Sequence, residues 1–122
     1  MAALQSFCEA YAVPMASAQA VELALDELLT NSITHGQLDP VQGLITVELE
    51  LRDQELHIVV SDNGIAFDPF SQPEPDLTSS LEQRQLGGVG IHLVKNCMDS
   101  YAYQRIEGRN VISLRRRLQP AE

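Results

Sequence analysis

Glu27 and Asn31 stand four residues apart and His35 follows at the same interval, so on a helix the three side chains project from one face. A carboxylate beside an amide oxygen suits the neighbourhood of a hard cation. Mg2+ takes oxygen ligands and keeps several waters, so one Asn oxygen together with nucleotide phosphates is a typical arrangement. Glu27 is then free to accept a proton from an attacking hydroxyl or water. An ordinary solvated helix face carries the same pair equally well, and the spacing alone leaves both readings open.

Asp62-Asn63-Gly64-Ile65-Ala66 follows an apolar stretch that reads as a strand, which holds the Asp62 carboxylate at the rim of the core. A fixed acceptor there receives a hydrogen bond from the amino group of adenine, whereas guanine presents a carbonyl oxygen and is repelled. Gly64 lets a flat base approach the backbone, although Asp-Asn-Gly is also plain turn chemistry. Gly87-Gly88-Val89-Gly90, directly before a helical pattern, offers open backbone N–H groups and the positive end of a helix dipole, which suit phosphate. No Gly-Lys-Ser/Thr follows, so this is not a Walker loop, and a flexible hinge is the bland alternative. His35, His57 and His92 lack the mutual spacing of a metal site.

These groups need elements to hold them. Leu4, Phe7, Cys8 and Tyr11 mark one face of a short helix ending before Pro14. From Ser17 to His35 the residues Val21, Leu25, Leu28, Leu29 and Ser32 form a second helical stripe, with Ser17 as N-cap and Gly36 as the stop. Leu44 to Leu51 and Leu56 to Ser61 alternate apolar and polar residues across the link 52–55 and read as a β-hairpin; Tyr101 to Ile106 and Asn110 to Leu118 read as a second around Glu107-Gly108-Arg109. Between them, Phe67 to Leu86 carries Pro69, Pro73 and Pro75 and no periodicity, which predicts a lid-like loop. Ile91, Leu93, Val94, Cys97 and Met98 then mark a third helix. The order predicts an α+β protein with helices on one face of a mainly antiparallel sheet.

The 122 residues suit a single domain, and no apolar run is long enough to span a membrane. Met1 to Tyr11 lacks the basic region of a signal peptide, so a cytoplasmic protein is the expectation. Cys8 and Cys97 have no paired spacing and are expected as reduced thiols. A net charge of −9 argues against direct nucleic-acid binding. The charge is uneven: up to Gln83 there are 14 acids and one base, and from Arg84 onward 7 bases and 3 acids. An anionic ligand or an acidic partner meeting the later segment is one reading, and solvated faces are the other.

In combination and in this order, the three motifs resemble the N, G1 and G2 boxes of the Bergerat-type ATPase superfamily, which includes histidine kinases, gyrase B and MutL. The segments Glu22 to Gly36, Asp62 to Pro69 and Gly87 to Val94, followed by Met98-Asp99, Tyr103, Arg105 and Asn110, are similar to the anti-sigma-factor serine/threonine kinase family over nearly the whole chain. The resemblance implies a two-layer α/β sandwich, the Bergerat ATP-binding fold, over residues 1–122 as one histidine-kinase-like ATPase domain. It would lack the strand and part of a helix that the family carries before this chain's first residue. It implies ATP and Mg2+ as cofactors, Glu27 as catalytic base, Asn31 as magnesium ligand, Asp62 as adenine acceptor with Gly64 and Ala66 beside it, and Gly87, Gly88 and Gly90 at the phosphates. Ala66 stands where the broader superfamily often has a second glycine.

By the same resemblance the partners are a sigma factor held inactive and a STAS-type anti-anti-sigma protein phosphorylated on Ser or Thr, with a homodimer as a further possibility. Two other functions stand beside the kinase: a nucleotide-gated sequestering module without phosphoryl transfer, and a detached histidine-kinase catalytic domain. Glu27 favours the enzyme. The chain has no His-containing dimerisation helix pair, which weighs against the histidine kinase.

Overall fold

A computed structural model describes residues 2–71 and 86–118. Helix α1 spans Ala2–Ala10 and buries Leu4 and Cys8. It ends where Ala12 adopts a left-handed backbone (φ 53°) and Val13 N–H reaches back to the Cys8 carbonyl, a Schellman-type stop. Pro14 then occupies the N-cap position of α2, Met15–His35. The expected cap, Ser17, lies inside the helix instead. Pro14 already supplies the extended geometry that opens the helix, and Ser17 is buried, its hydroxyl accepting from Arg116 Nε at 3.1 Å. Gly36 closes α2 as expected, with its N–H on the Ser32 carbonyl.

Strands β1 (Ile45–Arg52) and β2 (Glu55–Asp62) form the first hairpin, and β3 (Ser100–Ile106) and β4 (Arg109–Arg117) the second. Both hairpins turn on two residues with positive φ, Asp53-Gln54 and Glu107-Gly108, the arrangement whose twist matches paired strands. Arg109, expected in the second turn, is therefore the first residue of β4. The strand order is β1-β2-β4-β3, antiparallel throughout.

Between the hairpins come a short 3-10 turn, Pro69–Ser71, and α3, Leu86–Cys97. Most of the predicted loop 67–86, and the lid reading with it, lies outside the described residues. Phe70 packs on Tyr101 with ring centroids 4.7 Å apart, so the part of that segment nearest β2 is held to β3.

One face of the sheet carries the core. Leu56, Ile58 and Val60 of β2 and Ile112 and Leu114 of β4 meet Val21, Leu25 and Leu28 of α2 and Ile91 and Val94 of α3. Each such aliphatic side chain contributes about 1.5–3 kcal/mol when fully buried. The other face carries Glu48, Glu50, His57 and Arg115, with the Glu55 carboxylate 3.1 Å from His57 and 3.8 Å from Arg115. The arginines late in the chain divide accordingly. Arg109 crosses that outer face to Ser61 and Thr46, Arg116 ties β4 to Ser17 and the Cys97 carbonyl, and Arg105 reaches the site described next. Both cysteines are free, and burial pushes the Cys8 thiol up.

Candidate functional site

The apolar stripes that build the core turn polar at one end. On α2 the buried face runs Val21, Ala24, Leu25, Leu28 and finishes in Asn31 and Ser32. On the sheet, Val60 and Ile112 form a register pair, and two residues on the next inward pair is Asp62 with Asn110. Polar side chains from three elements thus converge in one cleft between α2 and the sheet, lined also by Leu28, Gly36, Phe67 and Pro69.

Asp62 is 3% exposed and Asn110 2%. Buried polar groups of this kind need partners, and each has them. Asp62 Oδ1 accepts from Gly64 N–H at 2.8 Å and from Asn110 Nδ2 at 2.9 Å, while Oδ2 accepts from the Ser32 hydroxyl at 3.0 Å. Asn110 Nδ2 donates also to the Ile65 carbonyl at 2.7 Å, and its Oδ1 accepts from Tyr103 OH, Phe67 N–H and Arg105 Nη1. Gly64 is required here for a reason other than approach of a ligand: a Cβ would strike the Gly36 carbonyl, the same oxygen that accepts from Ile65 N–H. Asn63 faces the other way and fastens the preceding loop through Leu44 N–H and the Gln42 carbonyl.

Along α2, one turn before Asn31, Glu27 is half-buried, and its carboxylate lies against the Cα of Gly90 in α3, where a Cβ would collide with it. Burial, and then the charge of neighbouring Asp26, push the Glu27 carboxyl above the ordinary carboxylate value. A carboxylate poised in this direction is suited to taking up a proton. The glycine run is not a loop ahead of the helix. Leu86 already begins α3, so Gly87, Gly88 and Gly90 form its opening turns. Their low helix propensity suggested a loop from sequence, and the packing of α2 against α3 overrides it. The positive end of α3 still points where the glycines are.

His35 is exposed and stacks on Phe67 with centroids 4.9 Å apart and planes 19° from parallel. This pair roofs the cleft, whose enclosed space is about 10 Å³, the size of one water site. Ala66 is exposed beside this roof and does not line the cleft.

The structure therefore brings together Asn31, Asp62 and Gly64 around the cleft and places Glu27 against Gly90. Asn110, Ser32 and Phe67 belong to the same site and carry no role in the sequence reading. A signal for two of them existed: Ser32 sits on the apolar stripe of α2, and Asn110 falls in phase with Ile112 and Leu114 on β4. A polar residue on the inward face of an element marks a buried polar contact.

Asn31 also tests the fit of a magnesium ion. Its side-chain amide is buried and Nδ2 has no hydrogen-bond partner among the described residues, and a turn of the amide exchanges that nitrogen for the oxygen. Among the described residues no three His, Cys, Asp or Glu side chains cluster as a metal cage. One protein oxygen with the remaining ligands from phosphate and water is the coordination Mg2+ accepts, and Asn31 fits it.

Comparison with known proteins agrees with the architecture. Residues 1–116 match the family model for the histidine kinase-like ATPase domain. Over 92 residues, 75% of this chain and 65% of the relative, the chain is 34% identical to the serine/threonine-protein kinase BtrW of Bordetella bronchiseptica. It is 29% identical to an anti-sigma F factor of Clostridium novyi over 87 residues, 71% of this chain and 61% of that one. The chain thus spans less than two thirds of the length of these relatives. Among solved structures, the histidine kinase domain of the Erythrobacter litoralis EL346 blue-light activated kinase superposes with a TM-score of 0.61 at 17% identity, covering 86% of this chain and 46% of that one.

Proposed function

We propose, from the premise that this chain belongs to the histidine kinase-like ATPase domain family, that it is an ATP-dependent serine/threonine protein kinase and anti-sigma factor. In this reading it holds a sigma factor inactive and phosphorylates a STAS-type anti-anti-sigma protein. It works in the cytoplasm, and a homodimer is one assembly open to it. Two relatives bear the names serine/threonine-protein kinase and anti-sigma F factor, which supports the class. No helix among the described residues is long and apolar enough to cross a membrane.

One observation carries the chemistry: the Glu27 carboxylate lies against Gly90 in the opening turns of α3, one turn along α2 from Asn31. Phosphates at the start of α3 would therefore meet a proton acceptor on one side and an amide oxygen on the other. Asp62 accepts the adenine amino group at the deep end of the cleft. Asn31 would hold magnesium, which when bound neutralises charge on the phosphates. Glu27 takes the proton from the partner's Ser or Thr hydroxyl as that oxygen attacks the terminal phosphorus, the bond to the bridging oxygen breaks and ADP leaves. Gly87 and Gly88, in the first turn of α3, leave the backbone there open to phosphate, Gly90 seats the Glu27 carboxylate, and Gly64 donates to Asp62 at the base end, with Ala66 outside the cleft.

Calorimetric titration with ATP, ADP and GTP, with and without Mg2+, tests the binding half of this reading. Binding of ATP and ADP, strengthened by Mg2+ and much weaker for GTP, is the expected result. Equal affinity for ATP and GTP contradicts it.

A further inference from the structure

We propose that Asn110 is a positioning residue for base selection: its amide holds Asp62 as a fixed, acceptor-only group and thereby decides which purine edge the cleft accepts. The proposal rests on Asp62 being the adenine acceptor and goes beyond it by assigning the group that keeps Asp62 in that state.

The wiring leaves the Asn110 amide one orientation. Its nitrogen faces two acceptors, Asp62 Oδ1 at 2.9 Å and the Ile65 carbonyl at 2.7 Å. Its oxygen faces three donors, Tyr103 OH at 2.5 Å, Arg105 Nη1 at 3.1 Å and Phe67 N–H at 3.2 Å. Reversing the amide would set donor against donor and acceptor against acceptor. Arg105 is itself held by the Gly64 carbonyl at 2.8 Å, so the side that orients Asn110 is anchored to the loop bearing Gly64.

The consequence falls on Asp62. Every partner of its carboxylate is a donor, and two of them, Gly64 N–H and Asn110 Nδ2, occupy Oδ1. Among the described residues, Oδ2 meets only the Ser32 hydroxyl and keeps a lone pair. The amino group of a base must therefore come to Oδ2, on the side of Ser32. A carboxylate whose partners are all donors presents lone pairs to a base and refuses a carbonyl edge. If Asn110 were an acid, Asp62 would face a second carboxylate at hydrogen-bond distance, and two such groups share a proton. A shared proton converts Asp62 part of the time into a donor, which accommodates the carbonyl of guanine.

The test is calorimetric titration of the whole chain with Mg-ATP and Mg-GTP at pH 6, 7 and 8, for the unmodified protein and for Asn110→Asp, Asn110→Ala and Asp62→Asn. Among the described residues, the titratable or charged groups beside the pair are Arg105 and Tyr103 from β3, which bond to Asn110, and His35 from α2, which stacks on Phe67; they are common to the unmodified protein and the Asn110 variants, so the readout is the difference between them. The ATP-to-GTP affinity ratio of the unmodified protein is expected to stay constant with pH. In Asn110→Asp it should fall at least tenfold at pH 6 and recover in part at pH 8. In Asn110→Ala, which removes the donor without adding charge, it should fall several-fold at every pH. A merely structural role would weaken both nucleotides equally and leave the ratio flat, and that result in both Asn110 variants, alongside a lowered ratio in Asp62→Asn, overturns this proposal alone. An unchanged ratio in Asp62→Asn overturns the Asp62 reading and this proposal with it. Asn110→Asp is nearly isosteric, so the test survives if Asn110→Ala does not fold.

Discussion

The carboxylate of Glu27 on α2 occupies the place where a side chain at position 90 on α3 would have to go. The two residues are 63 positions apart in sequence, and the close packing of α2 on α3 makes the absence of a Cβ at Gly90 the condition for where Glu27 rests. A glycine that reads as backbone freedom for phosphate thus also sets the position of the proposed base.

Gly90→Ala should accordingly displace Glu27 while leaving the fold intact, because the obstructed atoms are the far end of a flexible side chain and alanine favours a helix over glycine by about 1 kcal/mol. Thermal unfolding should show Tm unchanged or slightly raised. Phosphoryl transfer should fall at least tenfold, and the double variant with Glu27→Gln should lose little beyond Glu27→Gln alone. Additive losses would separate the two residues.

Glu27 also predicts a pH-dependent stability. Its carboxyl lies above the ordinary value in the fold, from burial first and Asp26 second. The folded state therefore binds this proton more tightly than the unfolded chain, and the benefit is present at low pH and lost as pH rises through the folded value. Glu27→Gln should raise Tm at pH 7 and not at pH 4. An equal rise at both would point to packing rather than charge.

At the other end of the cleft, Asp62→Asn replaces an acceptor with an amide. Losing one charge-assisted hydrogen bond costs about 1.5–3 kcal/mol, so ATP affinity should drop roughly ten- to a hundredfold. Calorimetry decides this, and unchanged ATP affinity would remove Asp62 from base recognition.

Asn31→Ala should behave differently again. Without the amide oxygen, the gain in ATP affinity on adding Mg2+ should shrink to a few-fold or vanish, while binding in EDTA stays near that of the unmodified protein. Loss of affinity to the same degree with and without metal would make Asn31 a packing residue only.

The elements were legible because their periodicity is strong: the Val21, Leu25, Leu28 stripe and the alternation of β2 and β4 place the core correctly. What sequence concealed was local competition. Ser17 has the chemistry of a cap, yet Pro14 takes the start of α2 and Ser17 is drawn into the core by Arg116. Gly87, Gly88 and Gly90 read as loop by propensity, yet lie within α3. Asp62 was legible from its motif, whereas the hydrogen bonds of Asn110 depend on the register of β2 with β4 and on a hairpin that returns Arg105 beside it, which no local pattern encodes.

The most direct measurement is transfer of the γ-phosphate from labelled Mg-ATP to a Ser or Thr of a verified anti-anti-sigma partner, comparing the unmodified protein with Glu27→Gln. The unmodified protein should label the partner. Glu27→Gln should bind Mg-ATP within a few-fold of it and label the partner 10²- to 10⁴-fold more slowly, the usual contribution of a general base. A partner that forms the complex in Mg-ATP and gains no phosphate from the unmodified protein would contradict the kinase account.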